Sequence, residues 1–85
     1  MNDLTRYRLI AELPAPAGAK LIYCYLLDVW DGRGIAISVK KLGKSVGLSR
    51  SATRKNLHRL ERLDMLDISP RYSDDGGRLS NQYKL

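Results

Sequence analysis

The sequence predicts a mostly α domain with a small β-hairpin, an α+β arrangement of three helices followed by two C-terminal strands. Three observations carry that expectation. Apolar residues recur at three- and four-residue spacing in three separate stretches, each bounded by capping chemistry. Two later stretches alternate with period two around the turn-forming run Ser73-Asp74-Asp75-Gly76-Gly77. The chain of 85 residues, 44% hydrophobic and 28% charged, is near the globular average, so it is neither a disordered tail nor a coiled-coil rod. A domain this small buries only about 60–65% of its extended surface, and its thin core is expected to use every long apolar side chain.

Residues 1–13 read as an N-terminal arm, extended or a short helix, with the early alternation favouring the extended form. The domain proper spans residues 14–85. Pro14-Ala15-Pro16 stops the arm, and Pro16 suits the first position of a helix. Ala19, Ile22, Tyr23, Leu26, Val29 and Trp30 then mark one buried face. Asp31-Gly32-Arg33-Gly34 ends this first helix, the glycines permitting a left-handed cap. Ile35-Ala36-Ile37 has room for one short strand. Ser38 is an N-cap for a second helix with Val39, Leu42 and Val46 as its apolar stripe. Gly47 terminates that helix, Leu48 tucks under the turn, and Ser49 caps a third helix running from Arg50 to about Asp64. Two capped helices joined by about four residues form a helix-turn-helix unit. Beyond it, Met65–Tyr72 and Arg78–Leu85 make the hairpin, with Leu79, Asn81, Tyr83 and Leu85 on one side. Pro70, lacking a ladder donor, belongs on the open edge or at a bulge.

The formal net charge of +6 is distributed unevenly. Lys40, Lys41, Lys44, Arg50, Arg54, Lys55, Arg59 and Arg62 are opposed between positions 38 and 62 only by Glu61, so this segment holds the whole positive surplus. Such asymmetry points to a polyanionic partner, nucleic acid or an acidic membrane surface. Stepping roughly 100° per residue along the third helix sharpens the point. Arg50, Ser51, Arg54, Lys55, His58, Arg59 and Arg62 fall on one half; Ala52, Thr53, Asn56, Leu57, Leu60 and Leu63 fall on the other. Glu61 is the one anion within the basic arc. One half is suited to burial and the other to negative charge.

Other signals weaken on inspection. Gly43-Lys44-Ser45 echoes the end of a phosphate-binding loop, but the glycine required five positions before Gly43 is Ser38. A single cysteine, Cys24, excludes an internal disulfide and reads as a buried small hydrophobe. His58 has no second His or Cys beside it for a metal and no nucleophile to serve. Asp28 and Asp31 read as solvated helix-end carboxylates. No catalytic constellation, cofactor site or metal site is expected. The longest apolar run, Leu21–Leu27, is too short for a membrane span, and Met1–Arg6 lacks the order of a signal peptide. A cytoplasmic, nucleoid-associated location follows as the expectation. Leu21, Tyr25 and Leu27 lie off the main stripe of the first helix, which suggests a homodimer through that helix and the N-terminal arm.

Helix, short strand, helix, turn, basic helix and hairpin, in that order, resembles the winged helix-turn-helix domain. Ala17–Leu27 looks like the first helix of such modules in small bacterial regulators and plasmid replication initiators. Val46-Gly47-Leu48-Ser49-Arg50-Ser51-Ala52-Thr53-Arg54, through Leu57 and Leu60, is similar to their turn and recognition helix. Gly76–Leu85 resembles their returning wing strand. The resemblance implies insertion of the third helix into the major groove of double-stranded DNA. Arg50, Ser51, Arg54 and Lys55 would read or clamp bases, His58 and Arg59 would reach phosphates, and Lys40, Lys41 and Lys44 would hold the backbone. Two departures matter. Asp64 stands where the family usually has glycine after the recognition helix. Asp74 and Asp75 make the wing tip acidic, which moves backbone contact to Arg71 and Arg78 beside the turn. The leading expectation is a sequence-specific transcriptional regulator of bacterial, plasmid or phage type. A DNA-binding module of a replication-initiation or partition protein, and a winged helix that docks on protein, are the alternatives.

Overall fold

The computed structural model describes residue 8 and residues 10–85, with the side chain of Arg78 outside that description. Most of the predicted arm therefore lies outside the described residues; within it, Arg8, Ile10 and Ala11 have helical backbone. The Lys20 ammonium donates to the Ala11 carbonyl at 2.7 Å, tying this segment to the first helix of the domain.

Three helices come first: α1 (Ala17–Val29), α2 (Val39–Val46) and α3 (Arg50–Arg62), with the short strand β1 (Ile35–Ala36) between α1 and α2. Strands β2 (Asp67–Tyr72) and β3 (Arg78–Lys84) follow. Pro16 is the N-cap of α1 rather than its first residue, and its carbonyl accepts the Lys20 N–H at 3.0 Å. Gly32 is left-handed at φ 86°, but it lies two positions past the C-cap, so no left-handed cap closes α1 itself. Its C-cap Trp30 is extended at φ −68°, and the chain turns where the Asp31 carboxylate accepts the Arg33 and Gly34 N–H groups.

The turn between α2 and α3 has the chemistry its sequence implies. Ser38 Oγ accepts the Lys41 N–H and Ser49 Oγ accepts the Ala52 N–H, each at 3.1 Å. Gly47 takes φ 75°, which a side chain would resist. Gly43 packs where the two helices touch: a Cβ there would meet the Leu48 carbonyl oxygen and Thr53 Oγ1, both at 2.8 Å. Thr53 is fully buried and donates its hydroxyl to the Ser49 carbonyl at 2.7 Å.

The end of α3 is set by a residue that sequence alone left open. Asp64 adopts φ 58°, its N–H donates to Glu61, and the Met65 N–H reaches back to the Leu60 carbonyl, both at 3.0 Å. This pair of bonds is the Schellman arrangement, in which glycine is the favoured left-handed residue. Asp64→Gly is therefore expected to stabilise the protein by about 0.5–1 kcal/mol. Thermal unfolding should show the midpoint about 4 °C higher; an unchanged or lower midpoint would count against the left-handed assignment.

The three strands form one antiparallel sheet in the order β1-β3-β2, so β1 joins the hairpin. Ile35 and Ile68 flank Tyr83 across the two ladders. Ala19, Ile22 and Leu26 from α1, Leu42 from α2, Leu57 and Leu60 from α3, with Ile35, Leu66 and Tyr83, make the core. It does not use every long apolar side chain. Val29, placed on the α1 stripe by spacing, is exposed, and so are Leu21, Leu63, Tyr72 and Leu79. Leu63 follows the last turn of α3, where helical angles no longer apply. Cys24 is half-buried rather than sealed in the core, in a shallow depression shared with Leu21, Tyr25 and Val46.

The ladder slips between Ser69 and Arg71, so that Pro70 faces two residues of β3, Ser80 and Asn81. This bulge accommodates the missing donor of Pro70. It also breaks the period-two grouping of Leu79 with Tyr83. In an unbroken ladder Leu79 would face Tyr72; it pairs instead with Arg71 and is 41% exposed, whereas Tyr83 is buried.

Candidate nucleic-acid interface

The basic half of α3 faces outward because the other half is fixed in the core. Thr53, Leu57 and Leu60 are buried, and Asn56 folds its amide onto the Ala52 carbonyl at 2.9 Å. Burying those residues turns Arg50, Ser51, Arg54, Lys55, His58 and Arg59 to the solvent side, where all are exposed. The capped turn then sets α2 against α3, and Lys40, Lys41 and Lys44 are exposed as well. Among the described residues, none of the cations of α2 and α3 other than His58 is engaged in an ion pair. His58 Nδ1 lies 3.7 Å from Glu61 Oε1, so the single anion of the basic arc is directed at the imidazole.

Beside α3 runs a groove of about 510 Å³. It is lined by Arg50, Arg54 and His58 of α3, by Ser38 and Val39 at the start of α2, and by Leu79, Ser80, Asn81 and Tyr83 of β3. A second depression lies among Arg50, Ser51, Arg54, Lys55 and His58 on the outward face. Arg50, Arg54 and His58 border both. The β3 side of the groove has no counterpart in the sequence reading, which places Leu79 only on one side of the hairpin with Asn81, Tyr83 and Leu85. Gly43 reads there only as part of a phosphate-loop echo; a lone glycine in an amphipathic helix is the available signal of close packing.

Of the two wing arginines, Arg71 is half-buried and sits across the ladder from Leu79. The backbone of Arg78 begins β3, and its side chain lies outside the described residues. The acidic tip is largely occupied with itself. The Asp75 carboxylate accepts the Ser73 hydroxyl and, at 3.0 Å, the Gly77 N–H. Those two donors, the hydroxyl first, hold the Asp75 carboxyl below the usual aspartate range. The Arg33 and Gly34 N–H groups do the same for Asp31.

A pH dependence follows with a definite sign. Both carboxyls bind protons more weakly folded than unfolded, so their contribution is present above the ordinary aspartate pKa and is lost as pH falls through the depressed folded values. Carboxyl-carbon NMR titration should give Asp31 and Asp75 midpoints below the ordinary aspartate value. Asp75→Asn should flatten the acid-side loss of thermal stability expected below about pH 4. Asp31 and Asp75 midpoints at or above the ordinary aspartate value would contradict the turn geometry.

Among the described residues, no cluster of three or more His, Cys, Asp or Glu side chains could hold a metal ion, and no helix is long and apolar enough to cross a membrane. No curated protein and no solved structure matches the chain. A family model does: residues 16–66 match the helix-turn-helix domain. That span runs from the α1 cap to Leu66, just past α3, and contains the capped turn and the basic helix. Helix-turn-helix units bind DNA, which agrees with the exposed cations of α2 and α3. Three helices with a small antiparallel sheet, a β2–β3 hairpin in the position of a wing and the match over residues 16–66 together make this chain a member of the helix-turn-helix domain family, in its winged α+β form.

Proposed function

We propose that the protein is a sequence-specific reader of double-stranded DNA acting in transcriptional regulation, with α3 in the major groove. The observation supporting this most directly is the division of α3 into a buried half and an exposed, cationic half, whose one ion pair among the described residues is His58–Glu61. An α-helix fits the major groove, and the first turns of a recognition helix face base edges. Arg50, Ser51, Arg54 and Lys55 occupy those turns. His58 and Arg59, one turn on, reach phosphates, joined by Lys40, Lys41 and Lys44 of α2 and by Arg71 and Arg78 of the wing.

A homodimer is the second part of the proposal. Leu21 and Val29 leave apolar surface on α1 exposed, beside the half-buried Tyr25 and Leu27. Two copies joined through α1 and the N-terminal arm would present two recognition helices to half-sites about 34 Å apart. On this reading the protein works in the cytoplasm, at the nucleoid.

Selection from a pool of random duplexes tests both parts. A recovered palindrome is the expected outcome, and recovery of random sequence would refute specific reading. Affinity for the selected duplex should fall steeply with salt, with a log–log slope near −5 for about six neutralised phosphates. Sedimentation showing only monomer at high micromolar concentration, free and on the duplex, would refute the dimer.

A further inference from the structure

We propose that Leu79 is a specificity-determining residue that packs against the C5-methyl group of a thymine, an inference that rests on the duplex-reading role proposed above. Bulges re-aim side chains, and the slip opposite Pro70 moves Leu79 from the ladder position facing Tyr72 to one facing Arg71. Its core-side counterpart on the same strand, Tyr83, is buried, while Leu79 stays 41% exposed.

Where Leu79 is exposed decides its role. It lines the same groove as Arg50, Arg54 and His58. A leucine offers no hydrogen bond to a phosphate or a base edge. In the major groove the apolar feature of the bases is the thymine methyl, whereas guanine offers the paired acceptors that suit arginine. A groove lined by arginines and a leucine therefore matches a step in which thymine lies within a base pair or two of guanine. Arg71, directly across the ladder from Leu79, supplies positive charge on the wing side.

The test repeats the duplex selection with Leu79→Ser and Leu79→Met, then replaces thymine by deoxyuridine, position by position, in the parent's selected duplex. The expected result is one thymine preference in the parent that flattens in Leu79→Ser, survives in Leu79→Met, and leaves the guanine preferences intact. Deoxyuridine at that position should weaken the parent about fourfold, the value of burying one methyl group. The same replacement should leave Leu79→Ser unchanged. If serine disturbs folding, the deoxyuridine arm on the parent and Leu79→Met decides alone. Uniform weakening of all duplexes by Leu79→Ser, with the thymine preference intact, would indicate packing on the sugar–phosphate backbone and overturn the proposal. So would selection profiles identical to the parent's. A parent that selects no sequence would overturn the duplex-reading role itself, and this inference with it.

Discussion

Alanine in place of Gly43 is expected to destabilise the protein by about 2 kcal/mol, because its methyl group has nowhere to go. The added Cβ would lie 2.8 Å from the Leu48 carbonyl oxygen and 2.8 Å from Thr53 Oγ1. Neither neighbour yields cheaply. The Leu48 carbonyl is backbone, and the Leu48 N–H donates to the Gly43 carbonyl at 2.9 Å. Thr53 is fully buried, and its hydroxyl is committed to Ser49. Overpacking of this kind costs about 1–3 kcal/mol, and the better helix propensity of alanine offsets about 1 kcal/mol at most. The thermal midpoint should drop by about 10 °C. Lys44→Ala, on the exposed side of the same helix, should change it little. A Gly43→Ala protein as stable as the parent would show that α2 and α3 lie further apart than these 2.8 Å contacts imply. On the proposed reading the same substitution should also weaken duplex binding, since the spacing of the two helices would set the angle at which α3 enters the groove.

Arg54→Ala is expected to cost about 1–3 kcal/mol of discrimination at a guanine position, roughly 10- to 100-fold in relative affinity. Arg54 is exposed on the second turn of α3 and borders both the groove facing the wing and the outward depression. Arg50 precedes it by one turn and His58 follows by one turn, so Arg54 occupies the middle of the cationic face. Arginine suits this place because its fork can bond guanine O6 and N7 together, which lysine cannot reproduce. Lys41→Ala should behave differently. Lys41 is exposed on the first turn of α2, and its loss should weaken specific and random duplexes alike while reducing the salt slope by about 1. Competition binding with selected and scrambled duplexes separates the two. If both variants bind both duplexes as the parent does, α3 is not the reading helix.

The helical part of this fold was legible in the residues because its signals are local. Ser38, Gly47 and Ser49 act within a few positions of themselves, and the spacing of Leu57 and Leu60 directs the rest of α3 outward. The misreadings arise where local rules stop. Spacing kept Val29 on a buried stripe, although α1 ends there and the chain turns away at an extended Trp30. Leu63 fell on the apolar half of a wheel whose helix had finished at Arg62. Counting in twos groups Leu79 with Tyr83, and a single extra residue opposite Pro70 shifts its partner from Tyr72 to Arg71. That slip depends on a partner strand, so the alternation of β3 could not reveal it. The inward half of the candidate interface was readable for the same reason as the core; its wing wall was not.

Pro70 has one more effect. In the order β1-β3-β2, β2 is an outer strand, unpaired on one flank among the described residues. A proline in an outer strand and a neighbouring bulge both discourage strand-to-strand accretion between molecules. Self-association by stacking into fibrils is thereby disfavoured at the very margin of the protein that would otherwise template it.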